Sequence, residues 1–427
     1  MAQVVSAEKP LVGDLSTPGR PPLGSALDAV RAELIGCCAT LGSETVDTAD
    51  AIGRVLAATP LASRSSPPRD TVAMDGIAVR VGRAGVQAGA RFAVHGSALA
   101  GDPTADLAVG SAARVMTGAP LPEGADTVVP HELFASAGSS VVVMAATAQW
   151  ANVRRRGEDV QTGDPLAPVG VALSAQQVAA LIAGGVQRIQ AVRRPRVALV
   201  VTGNEIATGP PTEFQIPDTA GPLVSAAIER SGCQVAFLAH AVDHPDALAT
   251  VFRRAADEGD AIVSIGGVSY GQKDLTAEVA ATLGDIRHRA LRLKPGRPFV
   301  HGVIAGRPLF GLPGNPGAAS AVFELLVAPA LRALGGWHEV GPPFVKAKLT
   351  ESVGPADGRV HALRAVVWVD GSGRLTARVL PGDGSHLVAR VAAANALVVL
   401  QPGTDTAAGA LVDVILTDVP TSKPSAS

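Results

Sequence analysis

Cysteine, aromatic side chains and net charge are all scarce in this chain. Three cysteines in 427 residues, Cys37, Cys38 and Cys233, are too few for a disulfide framework. None stands in a Cys-x-x-Cys zinc spacing, and Cys37 and Cys38 read as ordinary helix residues. Aromatics at 3% leave the cores to Ala, Val and Leu. A formal charge of −2 gives no electrostatic footprint for nucleic acid, so any anion binding has to be local. The N-terminus lacks a basic start followed by an apolar stretch. No window reads as approaching the ~18 uncharged apolar residues of a membrane span. The expectation is a soluble, cytoplasmic protein with no nucleic-acid or membrane partner.

Hydrophobic residues at 47% are ample for real cores, and the length suggests about three domains. Segment 1–24 reads as a flexible lead-in. A helix is expected from Ser25 to Cys38, with Leu27, Val30 and Leu34 on one face. Residues 25–60 and 149–190 are assigned to a helical and linker domain. Residues 61–148 are assigned to a β insertion, because short apolar runs there are broken by Gly and Pro. From Arg196 the texture changes: apolar strands such as RVALVVT, QVAFLAHA, DAIVSI and RPLFGL alternate with amphipathic helices. That pattern predicts an α/β domain over 191–337, with a parallel sheet covered on both faces. Pro329 should kink or break its last helix. Alternating strands return over 338–418 as a C-terminal β domain, and 419–427 is a polar tail. The fold class is therefore α/β and multidomain, a central parallel-sheet domain flanked by small β domains.

In open α/β sheets, ligands bind at the carboxyl ends of the strands. Those ends carry unusual residues here: Thr202, Gly203 and Glu205 in VVTGNE, and Asp243 in HAVDHPD. SIGGVSYGQKD adds Gly266, Gly267, Ser269 and Asp274, and FGLPGNP adds Pro313, Gly314, Asn315 and Pro316. Glu205 and Asp243 are compatible with solvated loop acids, and Asp274 with a helix-start charge. Together they would set backbone amides for an anion beside carboxylates for a cation, as a phosphorylated ligand with a divalent metal needs. LRLKPGRPFV holds Lys294 and Arg297 at one rigid turn. Neither a P-loop nor a dinucleotide fingerprint is present. In the β insertion, VAMDGIAVR and VMTGAPLPEGADTVV place Asp75 and Thr117 in turns, where each side chain could simply bond its own backbone.

Read in order, AMDGIAVR, MTGAPLPEGADTVV, RRRGEDVQTGD, TGNE, SIGGVSYG, KPGRP, LPGNP and DGSHLVARVAAANAL resemble the molybdopterin molybdenumtransferases. The resemblance runs from about Ser25 to Asp418. It implies that the α/β domain binds molybdopterin. The enzyme would take adenylylated molybdopterin and molybdate, release AMP and complete the molybdenum cofactor. It also implies a homodimer whose site is shared between subunits, with Asp75 and Thr117 reaching across the dimer cleft. A molybdopterin adenylyltransferase and recipient molybdoenzymes would be its functional partners. By the same resemblance Glu205, Asp243 and Asp274 surround the pterin pyrophosphate and its Mg²⁺, and Asp159 is a further acid of the cleft. Lys294, Arg297, Arg364 and Ser385 would form the molybdate pocket, and the LPGNP loop would border the pterin.

The chain departs from the family's pattern in places. Thr71 and Val72 stand where an Asn-Ser pair is usual, and Asn204 replaces an aspartate. DTAG at 218–221 lacks the usual Asn, and Arg297 replaces a lysine. Retention of Asp75, Glu205, Asp274 and Lys294 favours a working, divergent enzyme. The alternatives are a non-catalytic protein that stores the pterin or finished cofactor, and a molybdopterin adenylyltransferase.

Overall fold

A computed structural model describes residues 25–103, 106–268, 275–354, 357–382, 384–404 and 406–420. The expected lead-in 1–24, and Ser269 and Asp274, lie outside the described residues. The chain forms two compact units, Ser43–Ala191 and the segments on either side of it.

Helix α1 (Ser25–Gly36) stops short of the cysteines. It buries Leu27 and Leu34 in the core of the α/β sheet, so it belongs with that sheet and not with the linker segments. Cys38, just past its end, is also buried there, and burial pushes its thiol up to about 12. That leaves little thiolate for redox chemistry.

The Ser43–Ala191 unit is built on a six-stranded sheet. Its strands run in the spatial order Thr127–Pro130, Gly76–Val79, Ser111–Val115, Arg91–Ala98, Ser140–Val143 and Phe134–Ala137. Successive residues enter separate cores on its two faces: Ala78 and Val128 on one, Ile77, Val79 and Val129 on the other. A helix at Ala175–Ala183 starts with a capping box between Ser174 and Gln177.

The other unit holds the α/β sheet. Its elements are β1 (Arg196–Thr202), α2 (Ala220–Arg230), β2 (Gln234–Ala241), α3 (Pro245–Glu258), β3 (Ala261–Ile265) and α4 (Leu275–Leu283). They continue with β4 (Gly284–Ala290), β5 (Pro298–Ile304) and β6 (Arg307–Leu312). The strand order is β2-β1-β3-β6-β5-β4. The first four run parallel, as expected, but β5 and β4 are antiparallel additions at one edge. Both faces are covered. Val197, Leu199 and Val201 of β1 enter one core, while Ala198 and Val200 enter the other. That two-sided burial is why these strands read as unbroken apolar runs.

After β6 a long helix begins as α5 (Pro316–Val322), passes through a π-helical turn at Phe323–Val327 and resumes as α6 (Ala328–Leu334). Pro329 has no N–H for the α ladder, and its ring excludes the carbonyl four residues back, so the break falls where expected. The stretch Pro316–Leu334 does pass the length and composition test for a membrane span, contrary to expectation, yet 89% of its window is buried in the protein. It is the central core helix of this unit.

The C-terminal strands are β7 (Phe344–Leu349), β8 (Val360–Val369), β9 (Leu375–Val379), β10 (Ala396–Leu400) and β11 (Leu411–Leu416), with a short helix α7 (Val388–Ala392). They pair in the order β8-β9-β7-β11-β10, and β10 pairs back with β8. The result is a closed barrel. Ala347, Ala365, Ala377 and Ala396 fill its interior beside Val367, Val398 and Val414, small enough for the narrow bore of a five-stranded ring. The opposite face, with Val360, Ala362, Leu397 and Val399, joins the α/β core. Leu293–Lys294 adds a short parallel pairing to β8.

Candidate functional site

Chain order and spatial order diverge at β1. The chain moves from β1 to β2 on one side, then crosses to β3 on the other. Crevices at such switch points, outside the carboxyl ends of the strands, are where open α/β sheets bind ligands. Here the strand ends are level, with Thr202 opposite Ala241, Val201 opposite Ile265, and Ile265 opposite Leu312. A cavity of about 730 Å³ lies there. It is lined by Thr202, Gly203, Glu205, Asp243, Gly266, Gly267, Pro313, Gly314, Asn315 and Pro316. Every residue expected to hold the cofactor or metal, and described, therefore lines one space.

Local geometry separates the residues that can touch a ligand from those that shape the wall. Thr202 is buried, and its hydroxyl bonds the Ile265 carbonyl (3.3 Å) and the Thr276 hydroxyl (3.5 Å). Thr276 in turn donates to the Gly266 carbonyl at 3.2 Å. The Thr202 hydroxyl thus pins the Gly-Gly turn. Gly266 and Gly267 have φ of 94° and 61°, and a Cβ on Gly267 would lie 2.2 Å from the Thr276 hydroxyl oxygen. Only glycine fits this turn.

Glu205 is exposed on the crevice wall and Asp243 half-buried. Asp243 and Asn204 clasp each other: the Asn204 N–H donates to the Asp243 carboxylate (3.2 Å), and the Asp243 N–H to the Asn204 amide oxygen (3.0 Å). Asn204, where an aspartate was expected, keeps the acceptor this bond needs and drops the charge. Among the described residues no three acids, histidines or cysteines gather as a metal-ligand group, and Asp274 lies outside them. Two carboxylates on one wall nonetheless suit magnesium, which takes one or two protein carboxylates and completes its shell with ligand phosphates and water.

The start of α5 was expected to present amides to an anion. It does not. Pro316 has no N–H, the Gly317 N–H donates to the Ser385 carbonyl at 2.9 Å, and the Ala318 and Ala319 N–H groups return to the Asn315 carbonyl. The helix end is satisfied by the chain itself. A Cβ on Gly314 would meet no protein atom closer than Gly266 Cα at 3.7 Å, so the chain itself does not require glycine there.

Two residues of the wall were not anticipated. Asp218 caps α2, accepting from the Ala220 N–H (3.1 Å) and the Gly221 N–H (2.7 Å), with His240 Nε2 3.0 Å from its other oxygen. An acid just before a helix is a readable capping signal, but its meeting with His240 is long-range. His386, from the barrel, also lines the cavity, and nothing local in DGSHL announces it.

The expected oxyanion pocket is only partly assembled. Lys294 and Arg364 line a cavity of about 150 Å³ with Pro295 and Gly382. Arg364 is buried, and Nη2 donates to the carbonyls of Gly382 (2.9 Å) and Gly384 (3.1 Å). Arg297 is exposed and Ser385 engages Gly317 through its carbonyl; neither lines that cavity. A wider groove of about 1230 Å³ on the barrel, between Glu351, Arg378, Arg390 and Asp418, contains none of the expected residues.

In the Ser43–Ala191 unit, Asp75 and Thr117 bond each other and not their own backbones. The Thr117 N–H (2.7 Å) and hydroxyl (2.8 Å) both donate to one oxygen of Asp75. These bonds hold the exposed Asp75 carboxyl below the ordinary carboxylate range, the backbone N–H contributing most. Asp159 is exposed, and its N–H donates to the Ser66 carbonyl at 3.2 Å.

Residues 22–185 match the MoeA N-terminal region (domain I and II), 198–333 the probable molybdopterin binding domain, and 346–417 the MoeA C-terminal region (domain IV). A molybdopterin molybdenumtransferase of Haemophilus influenzae is 30% identical over 366 residues, covering 84% of this chain and 90% of the relative. The chain belongs to the molybdopterin molybdenumtransferase family. Another relative of that name, from Nostoc sp., is 32% identical over 397 residues, 88% of this chain and 89% of its own length. A solved molybdopterin biosynthesis moeA protein from Pyrococcus horikosii superimposes with a TM-score of 0.74 at 30% identity, over 92% of this chain and 99% of the other. All the residues lining the switch-point cavity except His386 and Val388 fall within the stretch that matches the probable molybdopterin binding domain.

Proposed function

We propose that this enzyme, a transferase of molybdenum cofactor biosynthesis, inserts molybdenum from molybdate into adenylylated molybdopterin and releases AMP. What supports this most is the cavity at the switch point, where the strand ends bring Glu205 and Asp243 beside the Gly266–Gly267 turn and the Pro313–Pro316 loop. Glu205 and Asp243 would hold magnesium together with the ligand's own phosphate oxygens, which neutralises the pyrophosphate and eases AMP departure. The Gly-Gly turn leaves the strand ends bare enough for a flat ring system to approach. Lys294, beside the small cavity it shares with Arg364, offers a cation for molybdate. Positioning of the oxyanion against the pterin accounts for most of the catalysis in this scheme.

The working form is a homodimer in which Asp75 and Thr117 of one subunit serve the cavity of the other. Asp75, held ionised by Thr117, would then orient a donor group of the bound ligand. The test is direct: purified enzyme with adenylylated molybdopterin, Mg²⁺ and molybdate should release AMP, without consuming ATP. Folded enzyme that binds the pterin yet releases no AMP at any molybdate concentration would overturn the assignment. Consumption of ATP would point instead to adenylyl transfer.

A further inference from the structure

The wall of the switch-point cavity carries the wrong charge for an anionic ligand. Glu205, Asp218 and Asp243 face it, and among its described lining residues there is no lysine or arginine. His386 is the one described lining side chain able to carry positive charge. It is exposed and makes no hydrogen bond or ion pair with another described residue.

Its position is nevertheless built. The loop that carries it is tied down on both sides: Arg364 holds the carbonyls of Gly382 and Gly384, and Gly317 at the start of α5 holds the carbonyl of Ser385. The Leu387 N–H closes the turn onto the Gly384 carbonyl at 3.2 Å. The imidazole folds over Gly384, where a Cβ would come within 2.9 Å of its Cε1. The same cavity is lined by Glu205 after β1, by Asp218, bonded to His240, before α2, and by Asp243 after β2, whereas Lys294 and Arg364 line the separate small cavity and Arg390 lies on α7. This is a fastened loop delivering one basic group to an acidic crevice.

We propose that His386 is a ligand-contacting residue of this site, donating a charge-assisted hydrogen bond to a phosphate oxygen of the bound nucleotide or pterin. The proposal rests on the substrate class argued above, an organic phosphate ester or anhydride. It makes the barrel a contributor to ligand affinity, through a residue distinct from the Lys294 and Arg364 pair.

AMP serves as the probe, titrated by calorimetry into the full chain with and without Mg²⁺ at pH 6.5 and pH 8, with inorganic pyrophosphate as a second probe. Loss of a hydrogen bond to a charged group should weaken AMP binding to His386→Ala about tenfold at pH 6.5. His386→Lys should keep affinity within about twofold at both pH values, because it restores a cation. The thermal midpoint of both variants should match wild type, the side chain being exposed. In the wild type, AMP should shift the His386 imidazole resonances. Equal AMP affinity in wild type and His386→Ala, unmoved imidazole resonances, or no binding of either probe to the wild type would each overturn the proposal. The two levels fail separately. AMP binding that depends on His386 without AMP release would sink the transferase scheme alone, and turnover with KM unchanged in His386→Ala would sink the His386 role alone.

Discussion

At Gly317 two effects of opposite sign compete. Inside a helix, alanine is favoured over glycine by about 1 kcal/mol. A Cβ at this position, however, would lie 2.7 Å from Arg364 Nη1 and 3.0 Å from the Ser385 carbonyl oxygen. The carbonyl is backbone, fixed by its own bond from the Gly317 N–H, so it cannot swing aside as a side-chain end could. Overpacking of this kind costs about 1–3 kcal/mol, and it should win. Gly317→Ala is therefore expected to lose about 1 kcal/mol in equilibrium urea unfolding, and a more stable variant would show that the Ser385 contact yields. Asp75 offers a second test of a single residue. Its carboxyl is depressed first by the Thr117 N–H and then by the Thr117 hydroxyl. Thr117→Val removes only the hydroxyl, so the Asp75 carboxyl should rise part of the way towards the ordinary range in an NMR titration. A depressed folded-state value stabilises above the unfolded value and loses that contribution as pH falls through the folded one. Solvent screening at this exposed site keeps the effect small.

Helix α2 is tied to the π turn of the long helix by one ion pair, Arg230 to Glu324 at 2.5 Å. Burial pushes the Glu324 carboxyl up, and Arg230 pulls it back only in part. Removing Arg230 leaves a buried acid without its partner, which costs about 3 kcal/mol, the low end for a buried pair because Arg230 is itself 44% exposed. The sign with pH follows from the raised value: stability from the protonated acid is fully present below the unfolded value and lost as pH rises through the folded one. Arg230→Ala should therefore unfold at a lower denaturant concentration than wild type, and the gap should widen from pH 5 to pH 8. A gap that narrows over that range would mean Glu324 stays ionised in the variant.

Elements of this sheet differed in how plainly the sequence announced them. The parallel strands were legible because both faces are buried, leaving runs such as Val197–Val201 without a polar break. β4, reading GDIRHRA, was not: it is an edge strand with three of its seven residues exposed and none fully buried, and its polarity hides it. The closing of the barrel depends on β10 returning to β8, a pairing between distant residues that no local pattern encodes. The same limit applied to the site. Glycine and proline at the strand ends marked the cavity, whereas Asp218 meeting His240, and His386 arriving from the barrel, are products of tertiary packing. Resemblance supplied the oxyanion residues, and the packing around Arg364, turned towards the Gly382 and Gly384 carbonyls, altered that picture.

At the scale of the molecule, the acids of the proposed site are divided between two compact units: Glu205 in the α/β unit, Asp75 in Ser43–Ala191. If each site takes Glu205 from one subunit and Asp75 from its twin, two inactive variants can repair one another. Asp75→Ala and Glu205→Ala should each lose most AMP release. Co-expressed in equal amounts with different affinity tags, they assort into dimers of which about half are mixed. In a mixed dimer one site draws both acids from the intact copies and the other draws neither. The mixture should therefore recover about a quarter of wild-type AMP release, and purified mixed dimers about half. Native mass spectrometry would confirm the composition. Were both acids to serve the same subunit's site, every mixed dimer would carry one broken acid per site and no activity would return, so recovery discriminates the shared arrangement from a self-contained one without any structure of the complex.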